Sequence, residues 1–192
     1  IAIAFVVYRN NPKSATNIIF AILSLFISAW LIAINRSSTV STASVILMYT
    51  RLTVFLAVPQ SVLFFLLSHT IPSSKLLLKK HFILLILFGA IGIMGLTLSP
   101  YTFTEVQVID TTIIKSIPGV GMSFFAIFVS FFSIGAIYVL IKKIRSSTGE
   151  IRQQLLFMMR GILLMLGFII TTIMIPVMIF QNQMFIPFSP LY

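Results

Sequence analysis

Residues 120–145, VGMSFFAIFVSFFSIGAIYVLIKKIR, decide the fold. Val120 to Ile141 carries no charged side chain, and Lys142, Lys143 and Arg145 follow at once. A helix needs about 17–25 mostly apolar residues to cross a bilayer, and a helix that is apolar all round has to be buried in protein or lipid. The same pattern repeats on both sides of this stretch. Runs at 16–34, 45–68, 82–98 and 155–180 have the length and composition of spans, and residues 1–8 form a shorter apolar piece that ends at Tyr8, Arg9 and Asn10. The expected fold is therefore all-α: a multi-pass transmembrane helical bundle forming one domain over residues 1–192.

The composition agrees. Of 192 residues, 59% are hydrophobic, and the mean hydropathy is +1.13; a soluble domain has an apolar share near 45–50%. The net charge of +10 does not point to nucleic acid, because the basic residues sit beside span ends rather than on a contiguous soluble face. There they hold topology and meet anionic lipid headgroups. With no cysteine, disulfides and thiolate metal sites are excluded.

Assigning alternate connections to opposite sides puts Arg9, Lys13, Lys75, Lys79, Lys80, Lys142, Lys143, Arg145 and Arg152 on one side, against Arg36 and Lys115 on the other. The Lys/Arg-rich side faces the cytoplasm. Lys79, Lys80, Lys142, Lys143, Arg145 and Arg152 are thus the expected cytoplasmic topology determinants, the N-terminal end lies outside, and the location is a cell (inner or plasma) membrane. The chain opens at Ile1 on an apolar run without the basic start of a signal peptide, and after Gln181, Asn182 and Gln183 it carries Pro187 and Pro190. It reads as a fragment at both ends. Five complete spans plus a partial first and last one give about seven in a parent protein, whose C-terminus then lies in the cytoplasm.

Catalytic chemistry is not expected. His69, His81, Glu105, Asp110 and Glu150 fall in loops or at span edges, and H-E-x-x-H and G-x-S-x-G are both missing. No cofactor or metal is implied. The singular residues are Arg51 and Arg160, which lie inside spans. Arg160 is close enough to Gln153 and Gln154 to snorkel. Arg51 stands six residues after Val45, about 9 Å along the helix, where a buried partner or a water-filled pocket competes with snorkelling. Gln60 follows Pro59 and is placed to bond a carbonyl that the proline frees. Arg51, Gln60 and Trp30 together form the candidate intramembrane polar site. Gly89, Gly92 and Gly95 suggest a smooth face for close helix packing, with Gly135, Ala136, Gly161 and Gly167 read the same way. The connection 99–118 alternates at Phe103, Val106, Val108 and Ile109 and allows an interfacial segment or a short strand.

Several stretches in order resemble the seven-helix N-terminal sensor region of bacterial histidine kinases. They are the turn Tyr8 to Asn17 before a helix ending Ala29-Trp30-Leu31; Arg51-Leu52 followed by Phe64-Phe65 and Pro72; Arg152-Gln153-Gln154-Leu155 leading to Arg160-Gly161; and Pro187-Phe188-Ser189-Pro190-Leu191. The resemblance implies a sensory input domain that transmits a stimulus to a cytoplasmic kinase or other signalling domain in the same parent chain, with homodimerisation left open. The chain itself has no H-E-x-x-x-P phosphoacceptor stretch and no glycine-rich nucleotide box. The rival class is a fragment of a multi-pass transporter or channel subunit, toward which only Arg51, Pro59 and Pro176 point.

Overall fold

The computed structural model describes residues 2–40, 42–110 and 113–169, with the side chains of 3, 38, 105–116 and 165–169 left aside. Six helices and one hairpin follow in order: α1 (Ala2–Asn10), α2 (Ala15–Thr39), α3 (Ala43–Thr70), α4 (Lys80–Leu98), β1 (Phe103–Asp110), β2 (Ile113–Pro118), α5 (Gly121–Ser146) and α6 (Gly149–Ile169). The helices run up and down, so one end of the bundle carries the hairpin and the other carries the basic connections.

Among the described residues four helices, α2 to α5, are long and apolar enough to cross a membrane. Each begins or ends beyond its apolar run, because intrahelical hydrogen bonding continues into the headgroup region where hydropathy no longer requires it. The expected fifth span, 155–180, is described only as far as Ile169. Its helix starts earlier, at Gly149, and carries Glu150, Arg152 and Arg160. Residues 170–180 of that span, Pro176, Gln181 to Gln183 and the proline-containing approach to a seventh helix lie outside the described residues.

Local chemistry explains the turns. Ser14 caps α2 by accepting from the Asn17 amide, and the Asn17 side chain donates to the carbonyls of Val7 and Asn11, at 2.9 and 3.3 Å, tying down the end of α1. Gly149 supplies the positive φ of 61° that separates α5 from α6. Within the helices, hydroxyls bond their own preceding turn: Ser24 to Phe20, Thr50 to Ile46, Ser61 to Val58 and Thr97 to Met94. In lipid, where water cannot serve, this is how a hydroxyl avoids an unpaired cost.

The bundle is organised around α3. Of its apolar window 44% is buried, against 17% in each of the other three, although it is the least apolar of the four. Lipid explains the inversion: tails are as apolar as leucine, so helices associate through packing and hydrogen bonds, and the helix with most polar groups takes the centre. Val58, Val62, Phe65 and Leu66 of α3 meet Ile19 and Leu23 of α2, Ile86 and Ala90 of α4, and Phe132 and Ala136 of α5. A second cluster joins Leu140 and Ile144 of α5 to Leu155 and Met159 of α6. Phe88, Phe131 and Phe157 stand outward on α4, α5 and α6, as lipid-facing residues do.

Small residues behave unevenly. At Gly135 an added Cβ would lie 3.1 Å from the Phe65 ring, so this glycine does set the close approach of α5 to α3. Gly89 faces Phe128, but at Gly92, Gly95 and Gly161 nothing described lies within 4 Å. Among the described residues, then, only Gly89 of the expected packing face on α4 meets a neighbour: a three-residue repeat advances 300° per step, and it turns Gly92 and Gly95 progressively away from the described helices.

Candidate functional site

Three polar tethers tie α3 to its neighbours, one near each end and one between. At the hairpin end the Arg51 guanidinium donates through Nη2 to the Phe103 carbonyl of β1, at 2.6 Å. Its Nε is buried and has no partner among the described residues. The depth of Arg51 follows from helix lengths. α3 has 28 residues, about 42 Å, and α4 has 19, about 28 Å, close to the roughly 30 Å hydrocarbon core. Nineteen residues separate Arg51 from the Thr70 end of α3, so Arg51 lies level with the end of α4. By helix length the guanidinium comes near the boundary of the hydrocarbon rather than deep inside a span; of the apolar residues before it, Ile46 is buried at 2% exposure and Met48 is exposed.

The hairpin it holds is a two-stranded antiparallel sheet with Val106 opposite Ser116, Gln107 opposite Lys115 and Val108 opposite Ile114. The register slips between Phe103 and Glu105, beside the carbonyl that Arg51 grips. At its base Gly119 donates to Thr102 and Gly121 to Tyr101, both at 2.9 Å. A Cβ at Gly119 would fall 2.2 Å from the Tyr101 carbonyl oxygen, so only glycine lets the two chain segments meet there.

The middle tether is Gln60, whose Nε2 donates to the Phe26 carbonyl of α2 at 3.2 Å. This corrects the expectation that Gln60 serves the carbonyl freed by Pro59: the side chain leaves its own helix and bridges to the next. Trp30 is half-buried and stands one turn beyond Phe26, so Gln60 and the Trp30 turn share an interface. Arg51 does not join them. Nine residues along a helix amount to about 13 Å and a half-turn of rotation, which puts Arg51 and Gln60 on opposite faces of α3. Two shallow concavities among the described residues are lined by Gln153, Gln154, Leu156, Phe157 and Arg160 on α6, and by Phe5, Val6, Val7, Arg9 and Asn10 on α1; neither involves the three candidate residues. Replacing Gln60 with leucine is expected to loosen α2 on α3 by about 1 kcal/mol, the net worth of one hydrogen bond, read as a lowered thermal midpoint with helix content unchanged.

The third tether was not singled out from sequence. Lys143 of α5 donates through Nζ to the carbonyls of Ser68 at 2.8 Å and His69 at 3.0 Å, and to that of Ile71. These are the carbonyls that the last turn of α3 leaves without intrahelical partners, and a cation at a helix C-terminus also meets the favourable end of the helix dipole. Around it, the Ser68 hydroxyl donates to the Phe65 carbonyl at 2.7 Å, His69 Nδ1 lies 3.0 Å from the same oxygen, and the His69 ring sits 4.5 Å from that of Phe65. Of the basic residues read as topology determinants, Lys79, Lys80, Lys142, Arg145 and Arg152 are exposed, whereas Lys143 turns inward. A signal for this was present: Phe132, Ala136, Leu140 and Ile144 form the buried stripe of α5, and Lys143 falls three residues after Leu140 and seven after Ala136 on that same face.

No curated protein and no solved structure matches the chain significantly. A family model does match, over residues 1–190, which takes in the Tyr8 to Asn17 turn, all three tethers of α3 and the Gln153-Gln154 start of α6. By that match the chain belongs to the family described as the N-terminal 7TM region of histidine kinase.

Proposed function

We propose that the protein is a membrane-embedded input domain that receives a stimulus at its hairpin end and passes it, through the packing of α3, to a cytoplasmic histidine kinase domain in the same parent chain. The observation that carries this reading is the family match over residues 1–190. The three tethers of α3 give it a physical route. A central helix tied at one end to the hairpin and at the other to α5 has few ways to move alone, so a stimulus that favours one helix packing over another shifts both ends together. The reading places residues 1–192 in one domain, assigns no chemical step to them, and places the basic end in the cytoplasm against anionic headgroups.

The orientation is checked with single cysteines at Gln107 and Ser146 in this cysteine-free chain. An impermeant thiol reagent applied to intact cells should label Gln107→Cys and leave Ser146→Cys untouched; the reverse pattern turns the domain over. The signalling role is checked in the full-length parent, where autophosphorylation should change with candidate ligands, osmolarity or lipid composition when this region is present. It should lose that dependence when the region is replaced by an unrelated set of spans. Equal phosphorylation in both forms under every condition would remove the sensory assignment.

A further inference from the structure

We propose that the Nε–Nη2 edge of Arg51 is a carboxylate-binding subsite at the hairpin end of the bundle, and that filling it releases the base of the hairpin from α3. The N–H bonds of Nε and Nη2 point along one edge of a guanidinium, spaced to meet the two oxygens of a carboxylate. Here that edge meets a single oxygen. Nη2 has the Phe103 carbonyl at 2.6 Å, while Nε is buried and unpartnered among the described residues, the state that costs most for a charged donor. A carboxylate on this edge satisfies both donors and has to displace the Phe103 carbonyl to do so.

The hairpin is built to respond. A two-stranded sheet is marginally stable alone, so β1 and β2 depend on what holds their base, and Arg51 grips that base beside the register slip at Phe103 and Glu105. By helix length Arg51 comes near the edge of the hydrocarbon, within reach of a solute from the aqueous side. The carboxylate has two sources of the same chemistry: a small carboxylate in solution, or the chain's own Glu105 and Asp110. The consequence for signalling rests on the input-domain reading; the binding itself does not.

The experiment follows amide hydrogen exchange of β1 with the protein in lipid nanodiscs, as sodium acetate is titrated against sodium chloride at matched ionic strength. Acetate alone should speed β1 exchange, toward about tenfold at saturation, the scale of one lost hydrogen bond to a charged group. Arg51→Lys, which keeps the charge but not the fork, should abolish the response, and Arg51→Gln serves as a second variant should the first not fold. If the wild type is insensitive but Glu105→Gln/Asp110→Asn responds to acetate, the chain's own carboxylate fills the edge and the subsite stands. Insensitivity of both, or an equal acetate response after Arg51→Lys, overturns the proposal and leaves Arg51 as a tether. Kinase output is not read in this experiment, so its failure leaves the input-domain reading untouched.

Discussion

Replacing Lys143 with methionine is expected to lower the stability of the bundle by about 3 kcal/mol and to detach the C-terminal turn of α3 from α5. Methionine keeps the length and the apolar stem but removes all three donors from the carbonyls of Ser68, His69 and Ile71. Hydrogen bonds to charged groups contribute about 1.5–3 kcal/mol each. The sum is discounted because Lys143 is half-buried and water can reach freed carbonyls at this end. Arginine should recover only part of the loss, since a planar fork does not reproduce the three-way spread of an ammonium. The measurement is a denaturant titration in micelles with a reporter at Thr70 or Ser146, comparing wild type, Lys143→Met and Lys143→Arg. A methionine variant as stable as wild type would show that the ammonium is no more than a solvated topology charge. In the full-length parent the same variant should uncouple output from stimulus, because it cuts α3 from α5 at the basic end.

Gly135→Leu should separate α5 from α3 and cost about 2–3 kcal/mol. At this position even a Cβ comes within 3.1 Å of Cε2 and 3.3 Å of Cδ2 of Phe65, and Phe65 cannot easily yield. Its ring is held edge-on by Phe132 at 5.3 Å and tilted against His69 at 4.5 Å. Forcing extra methylenes into such a contact costs about 1–3 kcal/mol, and in lipid no hydrophobic gain draws the helices back together. Gly92→Leu is the internal control. Nothing described lies within 4 Å of that position, so the same substitution there should change stability by no more than about 0.5 kcal/mol. Thermal unfolding of the two variants in one lipid composition distinguishes them; equal destabilisation would mean that the α3–α5 approach at Gly135 is not tight.

The spans were legible in the sequence because a membrane makes them a local property. Each backbone group in lipid has to find its partner within its own helix, so the apolar runs at 16–34, 45–68, 82–98 and 120–141 identify α2 to α5 without knowledge of their neighbours, and the basic residues between them mark the ends. Short motifs spread along the chain were enough to suggest the family. What the tertiary structure alone decided is which side chains meet. Phe103 to Asp110 alternates, yet eight residues of alternation fit a strand or an interfacial segment equally, and the pairing of Gln107 with Lys115 is what makes it a hairpin. Arg51, Gln60 and Trp30 looked like one site because each is polar or amphipathic within an apolar run. Helical rotation and the folding of α2 back along α3 give Gln60 to Phe26 and Arg51 to Phe103, two separate places. Lys143 looked like one more basic residue in a cytoplasmic cluster, since charge sets topology by number rather than by direction. Its role arises from three carbonyls more than seventy residues away along the chain, and only the packing of α5 against the end of α3 brings them within reach of one ammonium.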